Sequence, residues 1–274
     1  MALGWLLWGA ALLLGLHVLM ELSAAVNFVV RVGFYYLLCI VGSVLTVPVC
    51  LLVNGGRTVK NMRRVPEPSG GRIIKAVVKT FKYFFGLRFE VKGLENFEVE
   101  GPAIIVSNHQ STLDMMGLME VLPDDCVQVA KKELMYTGTV GLLIYLGGVI
   151  FINRKSTSSA KMVMAEVAKT MVTDNVKVWV YPEGTRNCTG DFLPFKKGAF
   201  HLAVQAQVPV IPVVYSSFTT FYNPKKSLFT SGKIKVEVLP PIETKGLTSD
   251  DVADLTDRCF HIMRETLFRL SGRP

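Results

Sequence analysis

Two stretches of this chain carry no Asp, Glu, Lys or Arg and are each long enough to cross a bilayer: residues 1–20, and a run of 22 over residues 32–53. A helix of about 20 residues covers the roughly 30 Å of bilayer hydrocarbon, so the pattern predicts two spans or one re-entrant hairpin. Ser23, Ala24 and Ala25 resemble a small-residue cleavage site, but no Lys/Arg segment precedes them, and a cleaved leader is the weaker reading. With half of the chain apolar and 19% charged, disorder and a disulfide-stapled mini-protein are excluded.

The charge of the chain is local. Residues 1–53 hold only Glu21 and Arg31, and residues 93–274 balance 19 bases with 19 acids. The whole net charge of +8 therefore lies between 54 and 92, where Arg57, Lys60, Arg63, Arg64, Arg72, Lys75, Lys79, Lys82, Arg88 and Lys92 face only Glu67 and Glu90. Bases directly after an apolar segment suit anionic headgroups and keep the following domain on the cytoplasmic side. Nucleic acid is the weaker reading, since no C2H2, RRM or KH pattern accompanies the belt. The five cysteines include no CxxC pair, which fits neither a zinc nor a disulfide framework and points to a reducing compartment.

The expected organisation is a membrane segment over 1–53, a Gly/Pro-rich basic linker over 54–71, and a domain on the cytoplasmic side over 72–274. That domain alternates. Strands are expected at 88–92, 103–107, 127–130, 149–152, 176–181, 210–214 and 233–239, and helices at 72–85, 112–121, 156–172, 195–206 and 249–270. The pattern predicts an α/β domain with a largely buried sheet. A third uncharged run, Leu134 to Asn153, is interrupted by Gly138, Gly141, Gly147 and Gly148 and reads as buried core or a membrane-facing substrate wall.

Two turns carry the chemistry. In Ala103-Ile-Ile-Val-Ser-Asn-His-Gln-Ser-Thr-Leu-Asp114 an apolar strand runs into a polar turn and then a helix. On one helix His109 and Asp114 would point about 140° apart, so they meet only if His109 lies on the turn and Asp114 on the first helical turn. The carboxylate would then hold one imidazole nitrogen and leave the other to take a proton from a hydroxyl. Ser111-x-x-Asp114 also fits a capping box, so this pair needs a second motif. Tyr181-Pro-Glu-Gly-Thr-Arg186, again directly after an apolar strand, supplies one: Gly184 permits a sharp turn and Arg186 offers a fork suited to phosphate. A plain surface turn is its alternative.

Asn108-His-Gln-Ser-Thr-Leu-Asp114, Gly148-Val-Ile-Phe-Ile-Asn-Arg154, Glu183-Gly-Thr-Arg186 and Val208-Pro-Val-Ile-Pro212 resemble, in order, four blocks of the glycerolipid acyltransferase family; residues 130–134 and 195–200 match as well. The resemblance runs from the apolar N-terminus to about residue 240. It implies a mixed sheet flanked by helices and the transfer of an acyl group from acyl-CoA to the sn-2 hydroxyl of lysophosphatidic acid at the endoplasmic reticulum membrane. His109 would be the general base and Asp114 its orienting partner. Arg186, with Arg154 and Lys131 (Lys132 being the alternative), would receive the acceptor phosphate, while Glu183, Gly184 and Thr185 would shape that site.

No cofactor is implied, acyl-CoA being a substrate, and the four histidines (17, 109, 201 and 261) form no HExxH. The partners implied are acyl-CoA, lysophosphatidic acid and membrane lipid. The alternatives are another glycerophospholipid acceptor, a lipid hydrolase using Ser107 or Ser111, although no G-x-S-x-G elbow is present, and a silent lipid-binding scaffold. Asn187-Cys-Thr189 is the only glycosylation sequon, and a cytoplasmic active site predicts that it carries no glycan.

Overall fold

The computed structural model describes residues 2–58, 73–152, 167–168 and 171–272. Helices α1 (Ala2–Leu22) and α2 (Ala24–Asn54) are both long and apolar enough to cross a membrane. Ser23 caps α2, its hydroxyl accepting from Val26 N–H at 3.4 Å, so the small residues resembling a cleavage site form a helix junction. α2 begins well before the uncharged run. The guanidinium of its Arg31 lies 5.7 Å from the centre of the Phe229 ring.

Beyond them, α3 (Ile73–Phe85) leads into a sheet of seven strands: β1 (Leu87–Lys92), β2 (Ile104–Ser107), β3 (Cys126–Lys131), β4 (Ile150–Ile152), β5 (Lys177–Val180), β6 (Val210–Tyr215) and β9 (Gly232–Val238). Their order is β1-β9-β6-β2-β5-β3-β4, parallel throughout except between β6 and β9. The other elements are α4 (Asp114–Val121), α5 (Gly138–Leu146), α6 (Gly198–Ala206), a small hairpin of β7 (Tyr222–Asn223) and β8 (Leu228–Phe229), and α7 (Val252–Ser271). The mixed sheet flanked by helices is present, with all seven expected strands.

Alternate residues of the central strands enter two separate cores, which is why these strands read as unbroken apolar runs. Ile105, Trp179 and Ile211 face the side covered by α2, α3 and α4. Ile104, Val106, Val178 and Val210 face α6 and α7.

Three findings differ from, or sharpen, the sequence reading. The run 134–153 contains the nine-residue helix α5, about 13 Å long and too short to cross a bilayer. Gly141 sits inside it because a Cβ would lie 2.4 Å from the Met135 carbonyl oxygen. The basic belt is not one lipid-facing strip: Lys75 is buried and donates to the Leu122 carbonyl, and Lys79 and Lys82 pair with Glu120 at 3.5 and 2.8 Å. Most of the linker 54–71 and of the helix expected at 156–172 lies outside the described residues.

The third finding concerns α2. It contributes Tyr35, Val47 and Cys50 to the core beneath the sheet, and Ser43 meets Thr139 of α5 at 2.7 Å. Towards its start, Phe28 packs on Tyr222 of the hairpin with ring centres 5.9 Å apart. The stretch from Phe28 to Cys50, about 33 Å of helix, therefore has one face on the α/β domain. α1, by contrast, has no buried residue in its apolar stretch.

Candidate active site

Strand register brings the two motif turns together. Val106 of β2 lies opposite Val180 of β5, and His109 and Glu183 each follow three residues later at the carboxyl ends of adjacent parallel strands. Such an edge is where open α/β sheets collect ligands. The same edge receives Lys131, the last residue of β3, with Ile152 of β4 opposite it. Arg154, two residues beyond Ile152, lies outside the described residues.

His109 stands on the turn and Asp114 opens α4, the one arrangement in which they converge. Asp114 Oδ2 accepts from His109 Nδ1 at 2.6 Å, from Gln110 N–H at 2.7 Å and from Ser111 N–H at 3.0 Å. One oxygen thus both caps the turn and orients the ring, so the cap and the His/Asp contact expected from this spacing are a single structure. With the proton held on Nδ1, Nε2 presents its lone pair. The Tyr181 ring stacks on the imidazole, centres 4.1 Å apart and planes 18° apart, fixing the ring's tilt. Burial pushes the Tyr181 phenol well above its ordinary pKa, so it is a neutral platform.

Glu183 ties the second turn to the first. It is only 4% exposed; Oε1 accepts from His109 N–H at 3.0 Å, and Oε2 accepts from Leu193 N–H at 2.9 Å and Asn187 Nδ2 at 3.3 Å. Asn187 N–H in turn donates to the His109 carbonyl at 2.7 Å. Burial raises the Glu183 pKa while these donors pull it down. Gly184 at φ +69° makes the bend, and the space a Cβ would need is taken by the end of the Lys196 side chain, 2.6 Å away at Nζ. Thr185 and Arg186, just after the bend, are exposed.

Several residues of this assembly were not singled out by spacing. Asn108 docks both ends of its amide on Tyr215, at 2.9 Å each, and Gln110 donates to Ser216 O and accepts from Phe218 N–H, also at 2.9 Å. The side chains on both sides of His109 are thereby fastened to the backbone of β6 and its continuation. Two amides flanking one histidine at a strand end are the signal that was available. Tyr181 and Lys196 lie within the stretches singled out above, but the ring stacking of one and the place of the other beside Gly184 come from contact across the sheet edge.

The serines offered for a hydrolase have other work. Ser107 is wholly buried and accepts from Trp179 Nε1 at 2.8 Å, and Ser111 Oγ accepts from Leu113 N–H at 2.9 Å. The sequon changes meaning as well. Asn187 is 8% exposed and donates to Glu183 and to the Asp191 carbonyl, so its amide is part of the hydrogen bonding that shapes the two turns.

Residues 88–216 match the family model described as Acyltransferase. Over 97% of its length the chain is 56% identical to human 1-acyl-sn-glycerol-3-phosphate acyltransferase beta, covering 92% of that protein. It is 49% identical to the human alpha enzyme over 90% of this chain and 83% of that one. The fold is similar to the crystal structure of the 1-acyl-sn-glycerophosphate acyltransferase PlsC from Thermotoga maritima, with a TM-score of 0.68, 21% identity, and coverage of 92% of this chain and all of the other. On the identity and coverage shared with the human enzymes, the chain belongs to the 1-acyl-sn-glycerol-3-phosphate acyltransferase family.

Proposed function

We propose that this protein transfers the acyl group of acyl-CoA to the sn-2 hydroxyl of lysophosphatidic acid, forming phosphatidic acid and free CoA. The observation that carries the mechanism is the 2.6 Å contact between His109 Nδ1 and Asp114 Oδ2 beside the turn that bears Arg186. Nε2 of His109 takes the hydroxyl proton as the oxygen attacks the thioester carbonyl, and Asp114 stabilises the imidazolium. The tetrahedral intermediate expels the CoA thiolate, which receives that proton. No metal or cofactor is needed for these steps. Glu183 and Gly184 hold the shape of the acceptor turn, Glu183 through the backbone of His109 and Leu193. Thr185 lines it, and Arg186, Lys131 and Arg154 receive the phosphate, with the Lys196 ammonium beside the same turn.

The enzyme works from the cytoplasmic face of the endoplasmic reticulum. Its long contact between α2 and the α/β domain favours a helix lying in one leaflet over an upright span, which would draw α3 and its lysines to hydrocarbon depth. Exposed Tyr83, Phe84 and Tyr136 then join α1 and the outer side of α2 as the lipid-facing surface.

An acceptor panel tests the substrate. With one acyl-CoA, lysophosphatidic acid is expected to be acylated faster than lysophosphatidylcholine, whose single charge lies under choline, and faster than glycerol 3-phosphate, which lacks an acyl chain. The opposite order would remove the substrate assignment. Thiol release that needs no acceptor would mean hydrolysis, and none at all a scaffold. Arg186→Ala is expected to raise the KM for lysophosphatidic acid and lower kcat, because a misplaced phosphate misplaces the hydroxyl. Arg186→Lys should recover part of the loss, keeping charge without the fork. Unchanged kinetics in both variants would take Arg186 out of the acceptor site.

A further inference from the structure

The apolar helix α2 reaches the catalytic turn. Tyr35 Oη donates to the carbonyl oxygen of Thr112, in the middle of the segment between His109 and Asp114, at 2.8 Å. The backbone passes this carbonyl by: Asp114 N–H reaches Ser111 O, and Met116 N–H reaches Leu113 O. Tyr35 is 4% exposed, and its ring is held edge-on by Phe81 and Phe85 of α3, with centres 6.4 and 6.0 Å away. The hairpin of β7 and β8 is seated on the same helix through Phe28 and Arg31.

We propose that Tyr35 is a positioning residue for acyl transfer, its hydroxyl fixing the turn from His109 to Asp114 to the membrane-seated helix. The proposal rests on the reading of His109 as the base. α2 is then part of the catalytic scaffold as well as an anchor, and how it sits in lipid sets where Nε2 meets the acceptor hydroxyl. Loss of a hydrogen bond to the carbonyl of this turn has the right scale for this, since displacement of a base by an ångström costs up to about a hundredfold in rate.

The test uses the full-length protein in phosphatidylcholine vesicles, with acyl-CoA and lysophosphatidic acid both varied. Tyr35→Phe keeps the ring and removes only the hydroxyl; Tyr35→Leu removes both. In Tyr35→Phe, kcat is expected to fall about fivefold to fiftyfold, with each KM within about twofold of the parent and the thermal midpoint almost unmoved. Tyr35→Leu should add a clear loss of midpoint. Parent-like kcat in Tyr35→Phe, with loss only in Tyr35→Leu, would reduce Tyr35 to packing and overturn the proposal. A fall in kcat that merely follows the folded fraction would do the same. His109→Ala serves as the control arm: substantial activity there would overturn the reading of the turn itself, and the positioning role with it.

Discussion

Replacing His109 with alanine is expected to lower turnover by about 10² to 10⁴, the usual contribution of a positioned general base, while leaving folding and membrane binding intact. The expectation of an intact fold is structural. Asn108 and Gln110 are side chains that fasten this turn to the backbone of β6 and its continuation, and Glu183 and Asn187 hold it through the backbone of His109, none of which requires the imidazole. Asp114→Asn should be nearly as damaging for a different reason. The amide oxygen can still accept from the N–H groups of Gln110 and Ser111, so the turn survives, but the negative charge that stabilises the imidazolium is gone. Single-turnover acyl transfer, with circular dichroism of each variant, checks both. Turnover within tenfold of the parent in folded His109→Ala protein would end the base assignment.

Removing residues 1–53 is expected to abolish folding, whereas removing only residues 1–22 should leave a folded protein that binds membranes more weakly. Without α2 the core loses Tyr35, Val47 and Cys50, and Phe81, Phe85 and Phe229 lose their cover. Emptying a large buried side chain costs about 2–5 kcal/mol, and several such losses together match the roughly 5–15 kcal/mol that keeps a protein folded. α1 is exposed along its apolar stretch, and what it would lose is lipid contact. Thermal unfolding in detergent separates the cases: a cooperative transition at the parent midpoint after removal of residues 1–53 would show that α2 is only an anchor. Comparing activity in detergent with activity in vesicles for the shorter truncation then measures the anchoring role of α1.

The strands and the two motif turns were legible because their causes are local. Val176 to Val180 is a short β-rich apolar run whose pattern needs no knowledge of its neighbours, and a polar turn after such a run marks a sheet edge. The convergence of His109 with Asp114 also follows from helix geometry, since only one placement allows it. α5 was not anticipated because its residues are apolar on all sides and punctuated by glycine, leaving no period to read. The hairpin of β7 and β8 has two residues per strand, too few to show alternation.

What the sequence determined by itself is the existence of two apolar helices, the order of the strands along the chain, and the turns that bear His109, Asp114, Glu183 and Arg186. Spacing and periodicity are properties of neighbouring residues, and a single chain contains them. Only the tertiary structure decided that Val106 and Val180 pair, which sets His109 level with Glu183, and that Glu183 spends its carboxylate on holding two turns together. It also decided that Lys79 and Lys82 of the basic belt face Glu120, and that α2 turns Tyr35 toward the turn from His109 to Asp114. These are choices of partner across as many as 77 residues. A uniformly apolar helix or an unpaired lysine looks the same in sequence whichever partner it meets, so the choice is made by packing alone.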